Sequence, residues 1–114
     1  MLQQGSLVWV EVVDPKGFHR KCRPAVVISP NPDADPENIV AVAVTSTFTK
    51  PMPETHVALP WDPSGNSRSG LKRECYAVCN WIVRFSSVDV RQEGGFVGDK
   101  ALKRVLSKLP IVTD

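Results

Sequence analysis

Several features that would assign a function at once are missing from this sequence of 114 residues. No apolar run approaches the ~18 residues of a membrane span, and the first residues, Met1-Leu2-Gln3-Gln4-Gly5, lack a signal-peptide pattern. There is no Gly-rich phosphate loop, no Gly-x-Ser-x-Gly turn and no His-Glu-x-x-His pair, so P-loop, hydrolase and zincin chemistry have no support. We therefore expect a cytoplasmic protein whose function lies in a less familiar motif.

Cysteine is scarce and the charge balance is weak. The three cysteines include no Cys-x-x-Cys pair, which favours a reducing compartment over a disulfide framework or a zinc site. Cys75 and Cys79 would share one face of a strand and are predicted to be small core thiols. The formal net charge of +2 indicates no partner by itself, so only the clustering of charges is informative. The length predicts one domain with one core over residues 1–114.

The apolar pattern predicts short strands. β-Branched and aromatic residues are concentrated in five segments, 7–13, 23–29, 39–45, 55–59 and 75–85. The last segment is expected to bend near Asn80. Prolines and acids make 30–38 a loop, 61–72 is polar and glycine-bearing, and 94–98 is predicted to be a tight turn.

One helix follows the strands. It is predicted to begin at Asp99, a good N-cap, and to end before Pro110. Its apolar residues form a single stripe: Leu102, Val105, Leu106 and Leu109. Short strands followed by one terminal helix predict a mainly β fold (α+β), a small SH3-like barrel of strongly bent strands with a C-terminal helix.

The second strand starts with a cation, Arg23, ahead of an otherwise apolar run. A guanidinium is costly inside a strand covered on both faces, so Arg23 is predicted to lie where the strand starts, its fork free to bind an anion. The preceding loop adds Lys16, His19, Arg20 and Lys21, and residues 15–32 contain no acid. A fixed guanidinium beside a basic loop predicts a phosphate site.

Hydroxyl groups follow the third strand directly, in Thr45-Ser46-Thr47-Phe48-Thr49. Thr and Ser that end a strand commonly make turn hydrogen bonds, and that interpretation is favoured for Ser46, Thr47 and Thr49. For Thr45 two interpretations stay open: a turn hydrogen bond, or a hydroxyl that completes an anion site beside Arg23.

The two histidines are the natural acid–base candidates. His56 is out of phase with the apolar residues of its strand, which predicts a surface position. His19 is better placed, in the basic loop four residues before Arg23. Phe18 and Trp61 are candidates for stacking unpaired bases, whereas Trp9 and Trp81 lie in strand patterns and are predicted to be core.

Two runs, Gly5-Ser6-Leu7-Val8-Trp9-Val10 and Arg23-Pro24-Ala25-Val26-Val27-Ile28-Ser29, resemble the opening of the PemK/MazF family of toxin endoribonucleases. Further elements continue the pattern in order: Thr45-Ser46, Thr55-His56-Val57, Gly70-Leu71 and the tail from Gly94 to Leu109. The resemblance implies a homodimer in the cytoplasm and a partner antitoxin, with which the toxin forms a DNA-binding complex. It also implies sequence-specific, metal-independent cleavage of single-stranded mRNA without a cofactor, in which the ribose 2′-hydroxyl attacks the adjacent phosphate.

The resemblance also assigns residues. The family's strand arginine falls on Arg23, which would neutralise the transition-state charge, and its threonine falls on Thr45, which would hold a phosphate oxygen. The family's arginine and aspartate on a later strand fall on Val78 and Asn80, so His19 is the general-base candidate by position. Arg73 and Glu74 are the alternatives. Candidate RNA contacts are Phe18, Arg20, Lys21, Ser46, Thr47, Lys50, Trp61 and Arg73.

Two other functions stay open. A related class of the same fold poisons gyrase by protein binding and carries no nuclease centre, and a degenerate module would bind only nucleic acid or an antitoxin. The Arg23/Thr45 pair and the basic first loop favour the nuclease. The lack of an acid in that shortened loop keeps the non-catalytic module open.

Overall fold

The computed structural model describes residues 2–13, 17, 20–47 and 50–110, apart from the side chains of Val13 and Arg20. Within them the chain forms six strands and one α-helix: β1 Ser6–Val13, β2 Arg20–Val27, β3 Ile39–Thr45, β4 His56–Ala58, β5 Tyr76–Phe85, β6 Val90–Phe96 and α1 Asp99–Ser107. A short 3₁₀ turn, Ser87–Asp89, joins β5 to β6. The predicted mainly β fold with a C-terminal helix is confirmed. In this described part of the chain, no helix has the length and apolar character needed to cross a membrane.

The strands form one antiparallel sheet in the order β4-β5-β3-β2-β1-β6. Both of its faces are covered by apolar side chains. On one face, which we call the helix face, Val26 and Val42 pack in a cluster with Val105 of α1. On the other, the distal face, Ala25 and Val27 pack with residues of β1 and β3. Burial on both faces explains why β2 and β3 contain continuous apolar runs rather than alternating ones.

A large bulge interrupts β5. Val42 of β3 pairs with Ile82, but Val44, two residues further along, pairs with Ala77. Four residues of β5 thus lie opposite a single residue of β3, so the side chains of β5 change faces at the bulge. Ala77 and Cys79 enter the helix-face cluster, while Trp81 packs against the distal-face cluster. The bend predicted near Asn80 is confirmed, and so is the burial of the thiols of Cys75 and Cys79. That burial raises the pKa of both thiols and favours their protonated form.

The sequence placed the start of β2 too late. The strand begins at Arg20 and pairs with β1 from Arg20 to Val26, so Arg23 lies inside it, opposite Val10. The β2–β3 ladder, by contrast, starts only at Ala25, opposite Ala43. The half of β2 before Ala25 is therefore paired on one side alone, which leaves room for a cation that a fully covered strand would exclude.

Residues 94–96 of the predicted turn at 94–98 are instead the end of β6, which pairs with β1 from Ser6 to Val10. Gly95 serves a close approach rather than a turn, since a Cβ there would lie 1.6 Å from the carbonyl oxygen of Arg68. The neighbouring Phe96 N–H donates to that oxygen at 2.9 Å. The N-cap of the helix is Gly98, one residue before the predicted N-cap Asp99, which is instead the first helical residue.

The polar segment between Pro60 and Arg73, which we call the roof loop, is held by hydrogen bonds. The hydroxyl of Ser69, only 1% exposed, donates to the carbonyl oxygen of Pro60 at 2.6 Å and accepts from the N–H of Leu71 at 3.2 Å. The Asp62 carboxylate accepts from Ser64 Oγ at 2.6 Å, which lowers the pKa of Asp62. Leu71 packs into the helix-face cluster. The roof loop thus reaches the end of the sheet in a defined conformation.

The apolar stripe of α1 covers the helix face as predicted. Ala101 and Val105 are buried, and Leu102 and Leu109 pack against the same cluster. Leu109, just beyond the end of α1, therefore packs on the core of its own chain.

Candidate functional site

Arg23 is held by an aromatic ring. Its guanidinium carbon lies 5.3 Å from the centroid of the Trp81 ring, within the range of a cation–π contact. Trp81 comes from the bulge of β5 and packs against the distal-face cluster, so the ring itself is fixed. Stacking uses the flat face of the guanidinium, whereas its N–H donors point outward in the plane. The arrangement suits an anion that approaches Arg23 from the edge.

Thr45 ends β3 on the same face of the sheet as Arg23. Ala25 and Ala43 are cross-strand partners, and Arg23 and Thr45 each lie two residues beyond that pair, so strand alternation gives all four the distal face. Thr45 is 8% exposed. Its hydroxyl donates to the carbonyl oxygen of Thr47 and accepts from the Thr47 N–H, both at 3.1 Å. Of the two interpretations left open for Thr45, the turn hydrogen bond is present.

A cavity of about 490 Å³ opens where β2 and β3 separate. Its apolar walls include Trp9, Pro24, Val44 and Leu71. Four cations contribute to its lining: Lys21 and Arg23 from β2, and Lys72 and Arg73 from the end of the roof loop. None of the described lining residues is acidic. The cavity therefore presents a positive, partly apolar surface that favours an anionic ligand with a flat apolar part.

The structure brings together some of the predicted residues and not others. Lys21, Arg23, Ser46 and Arg73 all line this cavity. Ser46 is exposed there, while Thr47, Lys50 and Trp61 are exposed elsewhere, and none of these three is a described lining residue. Phe18 and His19 lie outside the described residues, and of Arg20 only the backbone is described. The prediction of His19 as the general base is therefore untested.

The alternative base, Glu74, is held in place. The phenol of Tyr76 donates to its carboxylate oxygen Oε2 at 2.5 Å, which raises the pKa of Tyr76. Tyr76 is also the cross-strand partner of Thr45. A hydrogen bond thus holds a carboxylate beside the strand end that carries Thr45.

The other histidine is fixed at the edge of the sheet. Nδ1 of His56 lies 3.1 Å from Oγ1 of Thr55, and β4 pairs with β5 through His56 and Val78. Partial burial lowers the pKa of His56, which favours the neutral imidazole. His56 is half-buried on an edge strand, close to the predicted surface position.

Sequence reasoning missed two residues of the site. Trp9 and Trp81 were predicted as core, yet Trp81 also carries the Arg23 guanidinium, and the half-buried Trp9 lines the cavity. The bend expected at Asn80 was the available signal for Trp81, because a bulge turns the next side chain to a new face. For Trp9 the signal was its position relative to Arg23 on two antiparallel strands. That signal can be used only when the register between the strands is known.

The fold and the site define a small bent β-sheet protein that presents a fixed guanidinium and a cationic cavity at one end of its sheet. The chain belongs to the PemK-like, MazF-like toxins of type II toxin–antitoxin systems, since the model of that family matches residues 3–113. The family resemblance inferred from the two runs around Trp9 and Arg23 is confirmed.

Solved structures share the fold over nearly the whole chain. MazF from Deinococcus radiodurans is 24% identical with a TM-score of 0.70, and 95% of this chain and 92% of that chain are covered. An endoribonuclease in complex with its cognate antitoxin from a mycobacterial species is 19% identical, with a TM-score of 0.69 and coverage of 96% and 91%. The Mycobacterium tuberculosis toxin MazF-mt6 is 14% identical, with a TM-score of 0.64 and 90% coverage of both chains. A search of the curated proteins gives no match.

Proposed function

We propose that this protein is the toxin of a type II toxin–antitoxin pair and acts as a metal-independent endoribonuclease on single-stranded mRNA. The observation that carries the proposal is the Arg23 guanidinium, stacked on Trp81 at the strand end that also presents Thr45. The adjoining cavity supports it, because its described lining holds four cations and no acid. A purely protein-binding toxin has no need of a guanidinium oriented in this way.

In the proposed reaction, the ribose 2′-oxygen attacks the adjacent phosphorus and the bond from phosphorus to the 5′-oxygen breaks. The departing 5′-oxygen takes up a proton from water, so the products are a 2′,3′-cyclic phosphate and a 5′-hydroxyl. Arg23 donates N–H bonds to the phosphate oxygens, where negative charge accumulates in the transition state. The Thr45 hydroxyl turns from the Thr47 carbonyl to a phosphate oxygen. The base that takes the 2′-proton is His19 by sequence position, with Glu74 as the alternative that Tyr76 fixes.

The partners follow from the family. A mycobacterial structural neighbour is described as a complex with its cognate antitoxin, and we infer an antitoxin for this protein also. A homodimer acting in the cytoplasm belongs to the same proposal.

The test is cleavage of a long single-stranded RNA by the purified protein in EDTA, with the ends of all products mapped. We expect cyclic phosphate and 5′-hydroxyl ends at a short recurrent sequence. Arg23→Ala should abolish cleavage, and Arg23→Lys should lose most of it, because an ammonium cannot reproduce the two-pronged contact with phosphate. Circular dichroism of both variants has to match the wild type. Full activity in Arg23→Lys would show that charge alone suffices, and growth arrest without any RNA cleavage would favour the gyrase-poison alternative.

A further inference from the structure

We infer that the cavity between β2, β3 and the roof loop is a subsite for one unpaired nucleotide, whose base stacks on Trp9 and meets Gln92 at its edge. The inference rests on the proposed function and deepens it. It assigns a specificity determinant to the platform of this cavity, which lies on the opposite face of the sheet from Trp81, although Arg23 itself also contributes to the cavity lining.

The floor of the cavity is a row of side chains across four strands. Trp9 of β1 is the cross-strand partner of Pro24 on β2 and of Gln92 on β6. Pro24 alternates with Val26 and therefore shares the helix face, as Val44 does. Trp9, Pro24 and Val44 thus make a continuous apolar platform, with the Gln92 amide beside it at the β6 end.

The roof of the cavity is preformed. Leu71 is 3% exposed and anchors the end of the roof loop in the helix-face cluster, while Ser69 bonds back to Pro60. These contacts hold Lys72 and Arg73, both exposed, at the rim. A ligand would therefore meet a platform and a cationic rim that need little rearrangement, which lowers the entropy cost of binding.

The position of the subsite relative to the proposed reaction centre follows from the two faces of the sheet. The Arg23 guanidinium lies on the distal face against Trp81, whereas the platform belongs to the helix face. Both are reached around the same half of β2, from Arg20 to Pro24, which pairs with β1 but not with β3. An RNA strand with its scissile phosphate on Arg23 can place a neighbouring base in the cavity by passing around this edge.

The size and chemistry of the cavity select the ligand. Ligand pockets range from roughly 300 to 1,000 Å³. At about 490 Å³ this cavity takes one nucleotide and excludes a duplex. An aromatic platform stacks a base of any identity, the cations bind its phosphates, and the Gln92 amide and the Ser46 hydroxyl can pair with its polar edge. The absence of acids among the described lining residues disfavours a cationic ligand.

The test uses single-stranded oligodeoxynucleotides, which lack the 2′-hydroxyl nucleophile and so report binding without cleavage. A panel of sequences, each varied at one position, is titrated by fluorescence anisotropy into the wild type, Trp9→Leu, Gln92→Ala and the control Val88→Ala. Val88 lies on the exposed turn before β6, away from the cavity. Loss of base stacking should weaken binding of Trp9→Leu by roughly 5- to 100-fold. Gln92→Ala should lose base preference at a single position, and Val88→Ala should behave as the wild type.

The outcomes separate this inference from the proposed function. If the wild type cleaves RNA while both cavity variants keep its affinity and its cleavage sequence, the subsite is wrong and the function stands. If the wild type binds the oligonucleotides through Trp9 and Gln92 but cleaves no RNA, the function is wrong and the subsite stands. Should an acidic peptide bind through Trp9 where the oligonucleotides do not, the cavity is a protein-docking site and the inference is overturned. Because Gln92 is exposed, Gln92→Ala keeps the test decisive even if Trp9→Leu does not fold.

Discussion

Arg23 lies in a strand of apolar residues, and two local circumstances make its charge tolerable there. Its guanidinium carbon lies 5.3 Å from the centroid of the Trp81 ring, and the edge of β2 on its other side has no partner on β3 before Ala25. A guanidinium is less strongly hydrated than an ammonium and stacks well, so both circumstances favour arginine over lysine. The same contacts restrict where the fork can point, which is what a transition-state contact needs.

Replacing Trp81 tests this restriction. Trp81→Leu keeps an apolar side chain on the distal-face cluster but removes the aromatic face below Arg23. A cation–π contact contributes about 0.5–2 kcal/mol, so kcat should fall by roughly 2- to 30-fold. Trp81→Phe retains an aromatic face and should recover part of that loss. Steady-state kinetics and a thermal unfolding midpoint for each variant give the comparison, and equal kcat values for Leu and Phe at equal stability would contradict the positioning role.

The pH profile of cleavage distinguishes the two candidate bases. If His19 takes the 2′-proton, cleavage should rise through the titration range of an imidazole, near ~6.5, because only the neutral ring accepts a proton. His19→Ala should then flatten the acid limb and slow cleavage by about two to four orders of magnitude. If Glu74 is the base, Glu74→Gln should slow cleavage by a similar factor, and His19→Ala should leave the acid limb in place. An acid limb that persists with an unchanged rate in both variants would exclude both residues.

Residue types alone predicted Arg23 and Thr45 as candidate site residues, because a cation before an apolar run and hydroxyls after one are visible in the sequence. Trp9 and Trp81 could not be identified in this way. Each is an aromatic residue in a strand, and its role depends on its neighbours on the adjoining strands. The bulge of β5 determines the neighbours of Trp81, and the register with Pro24 and Gln92 determines those of Trp9.

At the scale of elements, β6 shows where composition misleads. The pair Gly94-Gly95 predicts a turn, yet both residues continue a strand that pairs with β1. The roof loop approaches that strand from the other side. The N–H of Gly95 donates to the Ser69 carbonyl at 3.2 Å and that of Phe96 to the Arg68 carbonyl at 2.9 Å. Glycine inside a strand often marks such an approach of backbone to backbone. The other strands and the helix were predicted because their patterns of apolar residues follow directly from which side chains are buried.

Gly95→Ala should be strongly destabilising. The added Cβ would lie 1.6 Å from the Arg68 carbonyl oxygen, so the roof loop or β6 has to move and its hydrogen bonds are lost. We expect a loss of about 3 kcal/mol or more in the free energy of unfolding, measured by urea denaturation. Gly94→Ala is the matched comparison, because its Cβ would meet the Leu7 carbonyl oxygen at 3.1 Å and needs only a small shift. Similar unfolding midpoints for both variants would contradict the close approach at Gly95.

The whole molecule combines a nearly neutral balance of charge with a local concentration of cations. The net charge of +2 does not by itself indicate a binding partner. Folding, however, brings Lys21 and Arg23 from β2 together with Lys72 and Arg73 from the roof loop. The basic character of the first loop was visible in the sequence. The proximity of Lys21 and Arg23 to the roof loop was not visible, because β2 and the roof loop are far apart in the chain and come together through the sheet and Leu71.

Salt dependence separates local from overall charge. Each phosphate contact to a single strand contributes about 0.7 to the slope of log affinity against log salt, through release of a counterion. Lys72→Ala should therefore reduce the slope for a single-stranded oligonucleotide by about 0.7. Lys103→Ala, on the exposed side of α1 and outside the cavity lining, removes the same charge and should leave the slope unchanged. Fluorescence anisotropy at several salt concentrations gives both slopes. Equal reductions in the two variants would show that the overall charge of the molecule, rather than the cations gathered at the cavity, governs RNA binding.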